Sequence, residues 1–152
     1  MKILFFTFIA FFSLNSFSDL SDYEALSKMR CEAIYEELPK INNRKMRGRA
    51  AKQYRDKFKT SGNLIILSSE TNKIPLIAAL DFPTNTIVQI FEKGCEIKNS
   101  ELFCEDYITD GERETSASLK FNLSTKIISV NQNTSGKSSR ISFESKLDGV
   151  CN

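Results

Sequence analysis

Residues able to carry chemistry are few in this chain and unevenly placed. None of the 152 residues is a His, which removes the usual general base, the usual proton shuttle and the commonest metal ligand. Ser-His-Asp and Cys-His catalysis, His-based zinc sites and His-ligated haem are excluded with it. Carboxylate chemistry stays open, because glycoside hydrolysis runs on two acids. The available acids, Glu101, Glu105, Asp106, Asp110, Glu112 and Glu114, fall on a turn, a strand and a loop, and no spacing singles out a pair. A carboxylate-pair hydrolase is therefore the weakest reading the residues allow. Neither a phosphate-cradling Gly loop, a calcium loop nor a Cys-x-x-Cys occurs. The expectation is a non-enzymatic protein without cofactor or metal.

Four cysteines, Cys31, Cys95, Cys104 and Cys151, form an even set. Between Cys95 and Cys104 the turn-forming pair Asn99-Ser100 sits at the centre. With those two residues as a hairpin loop, Lys98 faces Glu101, Ile97 faces Leu102, and Cys95 faces Cys104. The last pair falls on a non-hydrogen-bonded position, where Cα atoms approach closely enough for a disulfide. Extending the register places Phe91 opposite Ile108. Cys31 is then left for Cys151, and two structural disulfides are expected.

The second conspicuous group is cationic. Residues 40–59 hold nine Lys or Arg against Asp56 alone, a local charge of +8 in a chain whose net charge is +2. Met46, Ala50, Tyr54 and Phe58 recur at four-residue steps, which predicts a basic amphipathic helix over residues 43–59. Its cations, Arg44, Lys45, Arg49, Lys52, Arg55 and Lys59, form a candidate anion-binding surface. The competing expectation is internal neutralisation, since residues 92–114 carry eight acids against three bases and could fold onto that helix. Nucleic acid is disfavoured as a partner, because interleaved aromatics are missing apart from Tyr54 and Phe58 on the apolar stripe.

The elements that must position these groups follow from periodicity. Met1-Lys2, the apolar run Ile3–Phe12 and the small-x-small Ser16-Phe17-Ser18 read as a secretory signal peptide over residues 1–18, leaving one domain over residues 19–152. Ser21-Asp22-Tyr23-Glu24 fits a capping box, and Tyr23, Cys31, Ile34, Tyr35 and Leu38 share an arc at helical spacing, so a first helix is expected up to Pro39. From Asn63 onward the period shifts to two, and turn signals separate short strands: 63–68, 74–80, 86–98, 101–109, 116–123, 126–132 and 139–147. The sequons Asn122-Leu123-Ser124 and Asn133-Thr134-Ser135 lie within this region.

Fold class is accordingly expected to be α+β, with an N-terminal helical region packed on a curved antiparallel β-meander stapled by disulfides. Location is expected to be periplasmic or secreted. The leading expectation for function is a binding or interaction domain whose partner is a protein, a small apolar ligand or an anionic membrane surface. The alternative is an envelope-associated protein that docks on anionic lipid through its basic helix.

Overall fold

The computed structural model describes residues 23–42, 44–69, 76–83 and 87–152. The expected leader, the capping residues Ser21 and Asp22, and the turn expected at 70–73 lie outside these. The chain forms an eight-stranded antiparallel β-barrel, with strands β1 Tyr23–Ile41, β3 Asp56–Ser69, β4 Leu76–Asp81, β5 Ile90–Lys98, β6 Glu101–Asp110, β7 Arg113–Asn122, β8 Ile127–Gly136 and β9 Ile141–Cys151. A two-residue strand, β2 Arg44–Lys45, and one short helix, α1 Arg49–Tyr54, interrupt the β1–β3 connection. Neighbours follow in chain order, and β9 returns to pair with β1, which closes the barrel.

The α+β expectation is overturned, and β1 shows why. Residues 23–38 carry both a helical arc and a period of two. In the barrel Met29, Cys31, Ala33 and Tyr35 point inward and are buried, while Lys28, Arg30 and Glu32 point outward. A helix there would bury one stripe and hydrogen-bond only to itself. As a strand the same segment is bonded along both edges, from Tyr23↔Ser69 to Glu37↔Asp56 with β3 and from Cys31↔Cys151 to Ile41↔Ile141 with β9. Tertiary pairing thus outweighs the helical propensity of its Ala, Leu, Lys and Glu residues.

The expected helix over 43–59 shrinks to the six residues of α1. It starts after Gly48, without a side-chain cap, and ends at the extended Arg55. Isolated helices of this length are marginal in water. Asp56 onward joins β3 instead, where Phe58 lies against Tyr35 with ring centroids 5.1 Å apart.

From β5 onward the meander is present, with tighter turns than expected. The gap between the strands expected at 101–109 and 116–123 reduces to Gly111-Glu112, and β8 continues past the expected end at residue 132 to Gly136. The cysteine hairpin has the expected register, Lys98↔Glu101, Ile97↔Leu102 and Cys95↔Cys104. Asn99 and Ser100 both take positive φ, as a two-residue loop matching strand twist requires. Phe91 does not face Ile108, however. Gly94 at φ 93° breaks the ladder, leaving Phe91 fully buried and Ile108 exposed. Asp106 fills the gap: its carboxylate accepts the Glu92 amide at 3.2 Å and lies 3.8 Å from the Lys93 ammonium. Lys93 also donates to the Tyr107 carbonyl at 3.0 Å.

Leu64, Phe91, Leu102, Phe121, Ile128 and Leu147 fill the interior and are essentially inaccessible, as expected for a barrel of eight strands. The outer face is mostly charged, Ser and Asn. That pattern is the inverse of a transmembrane barrel, whose apolar side chains face lipid. At the seam β1 and β9 approach closely at Gly149, where a Cβ would overlap the Glu32 carbonyl and the Ala33 side chain. Gly149→Ala is expected to destabilise by about 3 kcal/mol in chemical denaturation, the cost of forcing backbone apart in a packed wall.

Candidate functional site

The cationic segment is gathered at one end of the barrel. Antiparallel order brings to that end the described parts of the β1–β3 connection, residues 82–83 and 87–89, the β6–β7 turn and the β8–β9 turn. β2 sits on the end of β1 through Lys40↔Lys45 and Ile41↔Arg44. On the other edge of β1, the Asn42 amide donates to the Arg140 carbonyl at 2.9 Å. Barrel closure thus adds Arg140, distant in sequence, to the basic segment.

Two glutamates on the outer wall divide the cations into two groups. Glu36 on β1 faces Lys57 on β3 and Lys146 on β9. It pairs with Arg55, and Lys57 lies 3.9 Å from its carboxylate. Glu144 on β9 pairs with Lys40 at 2.6 Å and Lys146 at 3.4 Å. The Arg55 hydrogen bond, reinforced by the charges of Arg55, Lys57 and Lys146, holds the Glu36 carboxyl below its ordinary value against the opposing effect of burial. A hydrogen bond from Lys40 does the same for Glu144, also against burial and with the charges of Lys40 and Lys146 adding to it.

These depressed values fix a pH dependence. A carboxyl whose folded value lies below its unfolded value stabilises the fold above the unfolded value, and that stabilisation disappears as pH falls through the folded one. Stability is therefore expected to be flat above the ordinary glutamate value of 4.5 and to fall below it. Denaturant midpoints measured across that window check this. The double variant Glu36→Gln, Glu144→Gln should show a lower plateau and a shallower acid slope.

Of the six cations singled out from the sequence, Arg55 is therefore a wall residue. Arg44, Lys45, Arg49, Lys52 and Lys59 are exposed and, among the described residues, make no ion pair. Arg47 and Arg140 share that condition. Lys59 stands apart on β3 opposite Ile34, whereas the others occupy the barrel end. Asp110, Glu112 and Glu114 of the acidic stretch share this end through the β6–β7 turn, but among the described residues none of them forms an ion pair with these cations. Set among the free cations are two register partners at the seam, Ile41 and Ile141, 39% and 47% exposed. Sequence reasoning missed Arg140 and this apolar pair, since only closure of β9 onto β1 brings residues 40–42 beside 140–142.

The remaining candidates take other places. Both disulfides have the pairing read from the spacing: Cys31–Cys151 bridges the closing seam with Cα atoms 3.9 Å apart, and Cys95–Cys104 bridges the β5–β6 hairpin at 4.3 Å. Such bonds fit an oxidising, exported environment. Glu101 and Glu105 are exposed on β6, and Asp106 is committed to the β5–β6 gap. Asn122 caps its own turn, accepting the Ser124 and Thr125 amides. No group of three or more metal-capable side chains occurs among the described residues, and no helix among them is long and apolar enough to cross a membrane.

The class this geometry defines is a closed, disulfide-stapled eight-stranded antiparallel barrel with a cationic end. Comparison with protein-family models, curated proteins and solved structures finds no match to the chain.

Proposed function

We propose that the chain is a non-enzymatic, exported binding protein that docks on anionic lipid head groups through the cationic end of its barrel. The observation that carries this reading is the sorting of charge. Glu36 and Glu144 occupy Lys40, Arg55, Lys57 and Lys146, while Arg44, Lys45, Arg47, Arg49, Lys52 and Arg140 are exposed at one end and form no ion pair among the described residues. The exposed Ile41–Ile141 pair among them adds an apolar element suited to the head-group boundary. The polar outer wall supports a protein that sits on a bilayer rather than spanning it. The docking surface is a β-rimmed barrel end and not the amphipathic helix expected from the sequence.

Co-sedimentation with phosphatidylglycerol vesicles across a salt series tests this, with pure phosphatidylcholine vesicles as the neutral reference. Binding to the anionic vesicles at low salt that weakens as the Debye length shortens is expected. Absence of binding at low ionic strength rules the reading out. Equal binding to both lipids would transfer it to the apolar pair alone.

A further inference from the structure

At the same end, inside the ring of strands, the packed interior stops short of the rim and leaves an open cavity of about 410 Å³. This is within the range of small-molecule sites, and barrel mouths are one of their common locations. Ile87, Ile108 and Phe143 supply apolar wall, while Glu37, Asp110 and Arg113 supply charge. The side that Ile87 and Val88 contribute is anchored from within the barrel, because the buried Gln132 accepts the Val88 amide through its side-chain oxygen.

The charges are not equivalent. Asp110 and Arg113 are register partners flanking the β6–β7 turn, and with Glu37 they give the mouth two carboxylates against one guanidinium. Glu37 is the carboxylate held by buried hydroxyls. It faces Ser145 on β9 and Asp56 on β3, and among the described residues it forms no ion pair. Its carboxylate accepts hydrogen bonds from the Tyr35 hydroxyl at 2.9 Å and the Ser145 hydroxyl at 3.5 Å, both donors being buried. Two donors at the base of the mouth orient this half-buried carboxylate without neutralising it. The cations nearest in sequence, Lys40 and the segment after it, are held by Glu144 or lie outside the wall. A mouth so built, with apolar walls and two carboxylates against the single guanidinium of Arg113, is matched by a ligand that brings its own positive charge.

We propose that the barrel mouth binds a small organic ammonium compound, with its charged nitrogen on Glu37 and its apolar body against Ile87, Ile108 and Phe143. This site is inside the barrel and does not rest on lipid docking by the outer cations.

Isothermal titration of the whole exported protein with hexylammonium and hexanol tests it. The two probes share an apolar body and differ in charge. Hexylammonium is expected to bind about tenfold or more tightly than hexanol, the increment of a charge-assisted hydrogen bond out of bulk water. Glu37→Gln, which keeps the shape and an acceptor for Tyr35 and Ser145, should erase that preference while leaving hexanol binding and the thermal midpoint unchanged. Arg113→Ala, which removes a cation lining the mouth, should tighten hexylammonium severalfold. Equal affinity for the two probes, or a preference that survives Glu37→Gln, overturns the proposal. So do ligand-induced methyl NMR shifts confined to residues outside Ile87 and Ile108.

Discussion

Replacing Cys31 and Cys151 together by Ser is expected to cost about 5 kcal/mol of stability, and replacing Cys95 and Cys104 about 3 kcal/mol, in the loop-closure model. The difference arises in the unfolded chain, since the first bond ties residues 120 apart and the second residues 9 apart. In the folded state both link directly facing residues of paired strands. A domain of this size has a total stability of about 5–15 kcal/mol, so losing the seam bond leaves the barrel marginal, whereas losing the hairpin bond does not. Equilibrium unfolding of the two double variants in urea measures both. Equal losses, or a larger loss for the hairpin pair, would mean that the seam is held chiefly by its ladder from Cys31↔Cys151 to Ile41↔Ile141 and not by its covalent tie.

The second large effect concerns the cationic end. Each basic side chain near an anionic bilayer contributes about 1 kcal/mol, so the fourfold variant Arg44→Ala, Lys45→Ala, Arg49→Ala, Lys52→Ala should weaken vesicle binding about a thousandfold at low salt. Among the described residues these side chains make no ion pair, so denaturant midpoints should not move. Lys57→Ala and Lys40→Ala should do the reverse, because their charges serve Glu36 and Glu144. They should lower stability modestly and leave vesicle binding near that of the parent. Ile41→Ser with Ile141→Ser is expected to remove the part of the binding that persists at high salt. A fourfold variant that sediments with phosphatidylglycerol as well as its parent would discard the barrel end as the docking surface.

Legibility of the fold in the sequence varied with how local its determinants are. The β5–β6 hairpin was readable because its turn, register and disulfide lie within ten consecutive residues, Cys95 to Cys104. Later strands were readable for the same reason, each alternating beside a short turn. β1 was not. Its residues satisfy a helical arc and a strand alternation equally, and the decision is made by β9, more than a hundred residues away. Phe91 illustrates the same limit at smaller scale: a single Gly at positive φ shifted its register and moved it from an assumed pair with Ile108 into the core. The cations of the candidate surface were visible as composition, but their division into paired and unpaired sets depended on Glu36 and Glu144 on two different strands. Glu37 carried no local signal, because a carboxylate inside a barrel mouth differs from a solvated one only by what surrounds it.

The proposed export would also order the two disulfides in time. In a chain exported N-terminus first, as we propose, Cys31 would appear first, and its partner only after Cys95 and Cys104 had both passed. Cys95 is therefore the first thiol that Cys31 can meet, and oxidation of that pair would trap the chain in a wrong connectivity. Hairpins close within microseconds, far faster than disulfides form, and the Asn99-Ser100 turn brings Cys95 to Cys104 at once. On that route the hairpin would act as a built-in protecting group: by consuming the two intermediate thiols early, it would keep Cys31 reduced until the last strand arrives.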